Sequence, residues 1–68
     1  MVNKVKHYRE QQGVTQEQLA ASVGVSRQSI ISTEKGQYVP TTVFALKLAS
    51  ALKKTVEELF ELEKSDWK

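Results

Sequence analysis

The sequence predicts an all-α domain of five short helices, and three observations carry that prediction. Thr15 and Thr55 are each followed three residues later by a partner, Gln18 or Glu58, that can complete a capping box. Glycines at 13, 24 and 36 stand where helical periodicity stops. Phe44, Ala45, Leu48, Ala49 and Leu52 form an apolar stripe at helical spacing, the mark of a helix that faces a core.

The first helix is expected from about Asn3 to Gln12, with Val5 and Tyr8 on its apolar face and Val2 extending it. Gly13 ends it, and Val14 turns inward. Thr15 caps a second helix that begins at Gln16, in which Leu19, Ala20 and Val23 share one face. Gly24 closes that helix in a left-handed conformation that costs glycine nothing. Ser26 caps a third helix running to about Lys35 and stopping at Gly36. Two helices this short, joined by a glycine-containing turn, make a helix-turn-helix over about residues 15–36. Ile30 points inward, leaving Arg27, Gln28, Ile31 and Ser32 outside. That face reads either as a solvated surface or as a set of side chains for guanine and adenine edges in a major groove.

Pro40 disfavours helix at Val39, so the fourth helix begins beyond it, capped by Thr41 and running from about Thr42 to Lys53. Thr55 opens a final short helix whose Val56, Leu59 and Phe60 close the core. The tail, about residues 61–68, alternates Glu61-Leu62-Glu63 and ends near Asp66-Trp67. It reads either as a short strand or as a frayed end.

The chain has 68 residues, room for a single domain, and no Cys, so neither disulfides nor a thiolate metal site can supplement the core. His7 has no ligand companions, and neither a metal nor another cofactor is indicated. Without a signal peptide or an apolar run of bilayer length, the expected location is cytoplasmic. The net charge of +2 is uneven: residues 1–56 sum to +5 and residues 57–68 to −3. A basic body with an acidic end suits a phosphate-facing side and an averted side, while the acids also favour the start of a last helix. An enzyme is not expected. The Ser and Glu residues come with no paired general base, no nucleophile elbow and no phosphate-cradling glycine loop.

The run G-V-T-Q-E-Q-L-A, then V-G-V-S-R-Q-S-I, E-K-G, P-T and A-L-K-L-A resembles the Cro/CI-type helix-turn-helix family of phage and bacterial repressors. Within it the sequence is similar to the short "xenobiotic response element" (XRE)-type regulators, over roughly residues 4 to 60. The resemblance implies a compact five-helix, lambda-repressor-like DNA-binding domain with helices two and three forming the motif. It implies a sequence-specific regulator of transcription, a homodimer on an inverted repeat of double-stranded DNA, and repression in preference to activation. Arg27, Gln28, Ser32 and Ile31 then fall to base reading. Gln16, Ser26, Ser29, Lys35, Gln37, Tyr38 and Thr41 fall to the phosphates. Arg9 matches a basic position that pairs with an acid late in the third helix, here Glu34.

Three departures stand out. Thr33 occupies a position that is aliphatic in the family, which would loosen the inner face of the third helix. Lys53 stands where glycine commonly ends the fourth helix, making a poorer cap. Val43 is apolar where a charge is frequent, and with Leu46 it is either ordinary surface or part of a subunit contact. If the tail pairs with its twin across a two-fold axis, Leu62 and Trp67 join that contact. An antitoxin with a protein partner is the alternative role, disfavoured by the little chain outside the fold. A restriction–modification controller would still be a DNA-binding regulator. No small-molecule ligand is indicated.

Overall fold

Where the helices begin is set by side chains that accept otherwise unpaired backbone N–H groups. In the computed structural model, which describes residues 1–67, the order is β1 (Val2–Asn3), α1 (Val5–Gln11), α2 (Gln16–Val23), α3 (Arg27–Glu34), α4 (Thr42–Leu52), α5 (Val56–Leu59), β2 (Phe60–Glu61) and a 3-10 turn at Lys64–Trp67. Thr15 Oγ1 accepts the Gln18 N–H at 3.0 Å, and the Gln18 side chain accepts the Thr15 N–H at 2.9 Å. Thr55 and Glu58 repeat this reciprocal pair at the start of α5, at 3.1 and 2.9 Å. Ser26 and Thr41 cap α3 and α4 by accepting from Ser29 and Phe44. Gly24, at φ 80° and ψ 34°, turns the chain between α2 and α3.

Both termini depart from the expected course. Helix α1 begins at Val5, because Asn3 Oδ1 accepts the Val5 N–H at 3.0 Å from outside the helix. Short polar side chains that bond nearby backbone in this way favour helix starts over helix interiors. Val2 therefore does not extend the face of α1; it lies with Asn3 in β1. The strand-like reading of the tail holds only at Glu61; Phe60, expected in the last helix, joins it in β2 because α5 ends at Leu59, and the partner strand is within the chain. Val2 lies opposite Glu61 and Asn3 opposite Phe60 in an antiparallel pair. Lys68, the last residue of the expected tail, lies outside the described residues.

Helix α4 is the centre of the core and packs against α1, α2 and α5, while α2 packs on α3. Leu48 and Leu52 of α4 are fully buried together with Val5, Ile30 and Leu59. Each such side chain contributes roughly 1.5–3 kcal/mol through removal from water. Val14, Val25, Val56 and Phe60 are half-buried against this cluster. Thr33 does not leave the inner face of α3 loose. It is fully buried, and its hydroxyl donates to the Ser29 carbonyl at 2.7 Å, so the polar group is satisfied within the helix. Lys53 takes the left-handed conformation at φ 56° and ψ 41°, ending α4 one residue earlier than the periodicity suggested. No helix of the described residues is long and apolar enough to cross a membrane.

Candidate nucleic-acid interface

One carboxylate, that of Glu34, ties the helix-turn-helix to the first helix. Arg9 Nε donates to Glu34 Oε2 at 2.7 Å and Arg9 Nη2 to Oε1 at 3.2 Å, while Nη1 donates to the Val14 carbonyl at 2.9 Å. The two side chains are only 9 and 3% exposed, so the pair works in a largely water-free setting. Glu34 raises the Arg9 pKa further above its ordinary value, mainly through this hydrogen bond. Gln16 Nε2 also donates to Glu34 Oε1, at 3.1 Å. Glu34 thus joins α1, α2 and α3.

A primary amide carries two N–H donors. One hydrogen of Gln16 is spent on Glu34, and the other, with the half-buried side chain already oriented, remains for an external acceptor. Gln16 is the first residue of α2, beside backbone N–H groups that carry partial positive charge. Arg27 is exposed and lines the same open hollow as Thr15 and Gln16.

A second hollow gathers Ser26, Gln28, Ser29, Ser32, Gln37 and Tyr38. Gln28 Nε2 donates to Ser32 Oγ at 3.3 Å, one helical turn on, which pre-orients two outward side chains of α3. Ser26 and Ser29 are engaged in capping, their hydroxyls 3.1 Å apart, and Ser29 is half-buried. The Tyr38 ring leans on Phe44 with centroids 6.1 Å apart. Ile31 is half-buried, and Lys35 is exposed at the C-cap of α3.

The four candidate base readers are therefore divided. Gln28 and Ser32 share one hollow, whereas Arg27 opens onto another beside Gln16. Lys47 is a further basic residue beside these, absent from the expected contacts. It lines a third hollow with Tyr38, Thr41 and Val43, one helical turn after Val43. A basic residue four positions beyond an outward-facing one was the available signal. Val43 and Leu46 are exposed, and Leu46 opens elsewhere, onto a groove with Met1, Val39, Pro40 and Phe60. Leu62 and Trp67 are exposed and line neither of those hollows.

Comparison with known proteins identifies the fold and the family. The family described as "Helix-turn-helix" matches residues 5–59. An HTH-type transcriptional regulator of Bacillus subtilis, YgzD, is 44% identical over 66 residues, spanning 97% of this chain and all of its own. Among solved structures, the restriction-modification controller protein C.AhdI of Aeromonas hydrophila superposes with a TM-score of 0.79 at 37% identity, over 84% of this chain and 86% of the controller. The P22 c2 repressor, solved in complex with a synthetic operator, gives a TM-score of 0.81 at 26% identity over 85 and 88% of the two chains. With its fold, its motif and these relatives in agreement, the chain belongs to the Cro/CI-type helix-turn-helix family of DNA-binding transcriptional regulators, which are not enzymes.

Proposed function

We propose that this protein is a cytoplasmic repressor that binds an inverted-repeat operator as a homodimer. The observation that carries the reading is the pairing of two prepared surfaces. Gln28 and Ser32 are oriented outward on α3, and Gln16 is oriented at the start of α2 with a donor to spare. The likeness to the P22 c2 repressor, solved with an operator, supports it.

In this reading α3 enters the major groove. Gln28 offers donor and acceptor together to an adenine edge, Arg27 two parallel donors to guanine, Ser32 a single bond, and Ile31 contact with a thymine methyl. Gln16 and the N–H groups opening α2 clamp the phosphate backbone on one side of the groove. Lys35, Gln37, Tyr38 and Thr41 hold it on the other, with Ser26 and Ser29 offering hydroxyls, of which only the Ser26 oxygen also serves the cap by accepting the Ser29 N–H. Phosphate contacts set register and affinity, and base contacts set the sequence read. One α3 reaches only a few base pairs. A second copy, joined through Val43, Leu46, Leu62 and Trp67, would place its own α3 about 34 Å away, one turn along the duplex. Covering that length of promoter excludes polymerase.

Selection from a pool of random duplexes at two salt concentrations tests the reading. An enriched inverted repeat whose recognition survives added salt is the expected result. Binding that enriches no sequence and collapses with salt would reduce the interaction to backbone attraction and overturn it.

A further inference from the structure

Asn3 reaches three parts of the molecule from one position. Its backbone lies in β1, opposite Phe60 of β2. Its Oδ1 accepts the Val5 N–H that opens α1, and its Nδ2 donates to the Thr33 carbonyl, near the C-terminal end of α3 and thirty residues away. The two partners fix the amide's orientation, because the Val5 N–H needs an acceptor and the Thr33 carbonyl needs a donor. The same Thr33 carbonyl accepts the Gly36 N–H at 3.0 Å, so both of its lone pairs are used where α3 ends.

This contact complements the one made by Glu34. The two contacts act on different groups of the last turn of α3, a side-chain carboxylate and a main-chain carbonyl. Glu34 fastens α3 to α1 and α2, and Asn3 fastens the neighbouring Thr33 carbonyl to the two-stranded ribbon. Together they restrain the roll of α3 about its axis. A helix with its side chains has a radius of roughly 5–6 Å, so a roll of about 10° moves an outward side chain by about 1 Å. Direct hydrogen bonds span only about 2.7–3.2 Å, so a displacement of that size removes a base contact. Flexible surface lysines follow a phosphate through such a shift.

From this arrangement we infer that Asn3 is a positioning residue for sequence recognition: it holds α3 at the roll at which Gln28 and Ser32 meet base edges, and it makes the β1–β2 ribbon part of the specificity apparatus. The inference rests on the assignment of base reading to α3.

The test compares wild-type protein with Asn3→Asp by selection on random duplexes, followed by titration against the enriched duplex, its single-pair variants and an unrelated duplex. Asn3→Asp keeps an acceptor for the Val5 N–H but replaces the donor to Thr33 with an oxygen. The expected result is a loss of about tenfold in affinity for the enriched duplex and a flattened preference at the pairs read from α3. Affinity for the unrelated duplex at low salt should stay within about twofold, since phosphate contacts dominate there. Circular dichroism sets the temperature, so that both proteins are folded when compared. Asn3→Ser, which can accept from Val5 but is too short for Thr33, should reproduce the flattening. A folded variant with an unaltered preference profile overturns the inference, as does failure of both variants to fold, which would make Asn3 a stability residue only. Absence of any enriched sequence with wild-type protein would overturn the operator-binding proposal and this inference with it.

Discussion

Gln16 and Arg9 donate to the same oxygen of Glu34, at 3.1 and 3.2 Å, so a residue assigned to the DNA backbone shares an acceptor with a buried ion pair. The arrangement ties the stability of the fold to the pose of Gln16, the first of the proposed phosphate contacts. Arg9→Ala would leave the Glu34 carboxylate buried without its cation and should destabilise the protein by about 3–5 kcal/mol. Arg9→Lys should also be substantially destabilising, because an ammonium cannot reproduce three donors in a planar fork. Urea denaturation of both variants measures this. A midpoint equal to wild type for Arg9→Ala would mean that the pair contributes nothing.

Gln16→Ala and Gln28→Ala should fail differently. Loss of Gln28 is expected to cost about 1–3 kcal/mol at its own base pair and to relax selectivity there. Loss of Gln16 should weaken every duplex alike. Affinities against a panel of single-pair operator variants separate the two patterns. Arg27→Ala belongs in the same panel, since Arg27 shares a hollow with Gln16 and not with Gln28. A uniform loss would move Arg27 from the bases to the phosphates.

The legibility of this fold tracks how local each determinant is. Thr15 with Gln18 and Thr55 with Glu58 are bonded within one turn, so four residues of sequence are enough to place them. The β1–β2 ribbon escaped because two-residue strands carry no periodicity and their partners stand more than fifty residues apart. Consecutive helical positions point apart in any helix, but that Arg27 meets Thr15 and Gln16 depends on how α2 crosses α3, which no single-helix pattern encodes. Thr33 misled for a related reason: its hydroxyl is polar by composition but satisfied by the Ser29 carbonyl of its own helix. The polar and basic residue types of the candidate site stand in the sequence, and which of them share a hollow does not.

Lys53→Gly should stabilise the protein. Lys53 is the one non-glycine residue with positive φ among those described, and the left-handed region costs an L-residue roughly 1–2 kcal/mol. Part of the gain is offset by the greater freedom of glycine in the unfolded chain. A net gain of about 1 kcal/mol would raise the Tm of a domain this small by roughly 4–8 °C. Thermal unfolding by circular dichroism reads it directly, and an unchanged or lower Tm would mean that the Lys53 side chain contributes more than its backbone strain costs.

Acid should loosen the C-terminal end through Glu58. The Thr55 N–H donates to the Glu58 carboxylate and holds its pKa below the ordinary glutamate value, with a smaller contribution from the neighbouring Lys54 charge. A depressed pKa in the folded state means that the unfolded chain takes up the proton first. The stabilisation is therefore fully present above the unfolded-state value of about 4.3, declines as pH falls through it, and is gone once pH is below the folded-state value as well. Glu58→Gln keeps an amide oxygen for the Thr55 N–H but has nothing to protonate. The difference in stability between wild type and Glu58→Gln should accordingly be constant from pH 7 to about 5 and shift in favour of the variant on further acidification. Denaturant midpoints measured along that pH series supply the comparison, and a difference that stays flat below pH 4 would show that the cap does not favour the ionised carboxylate.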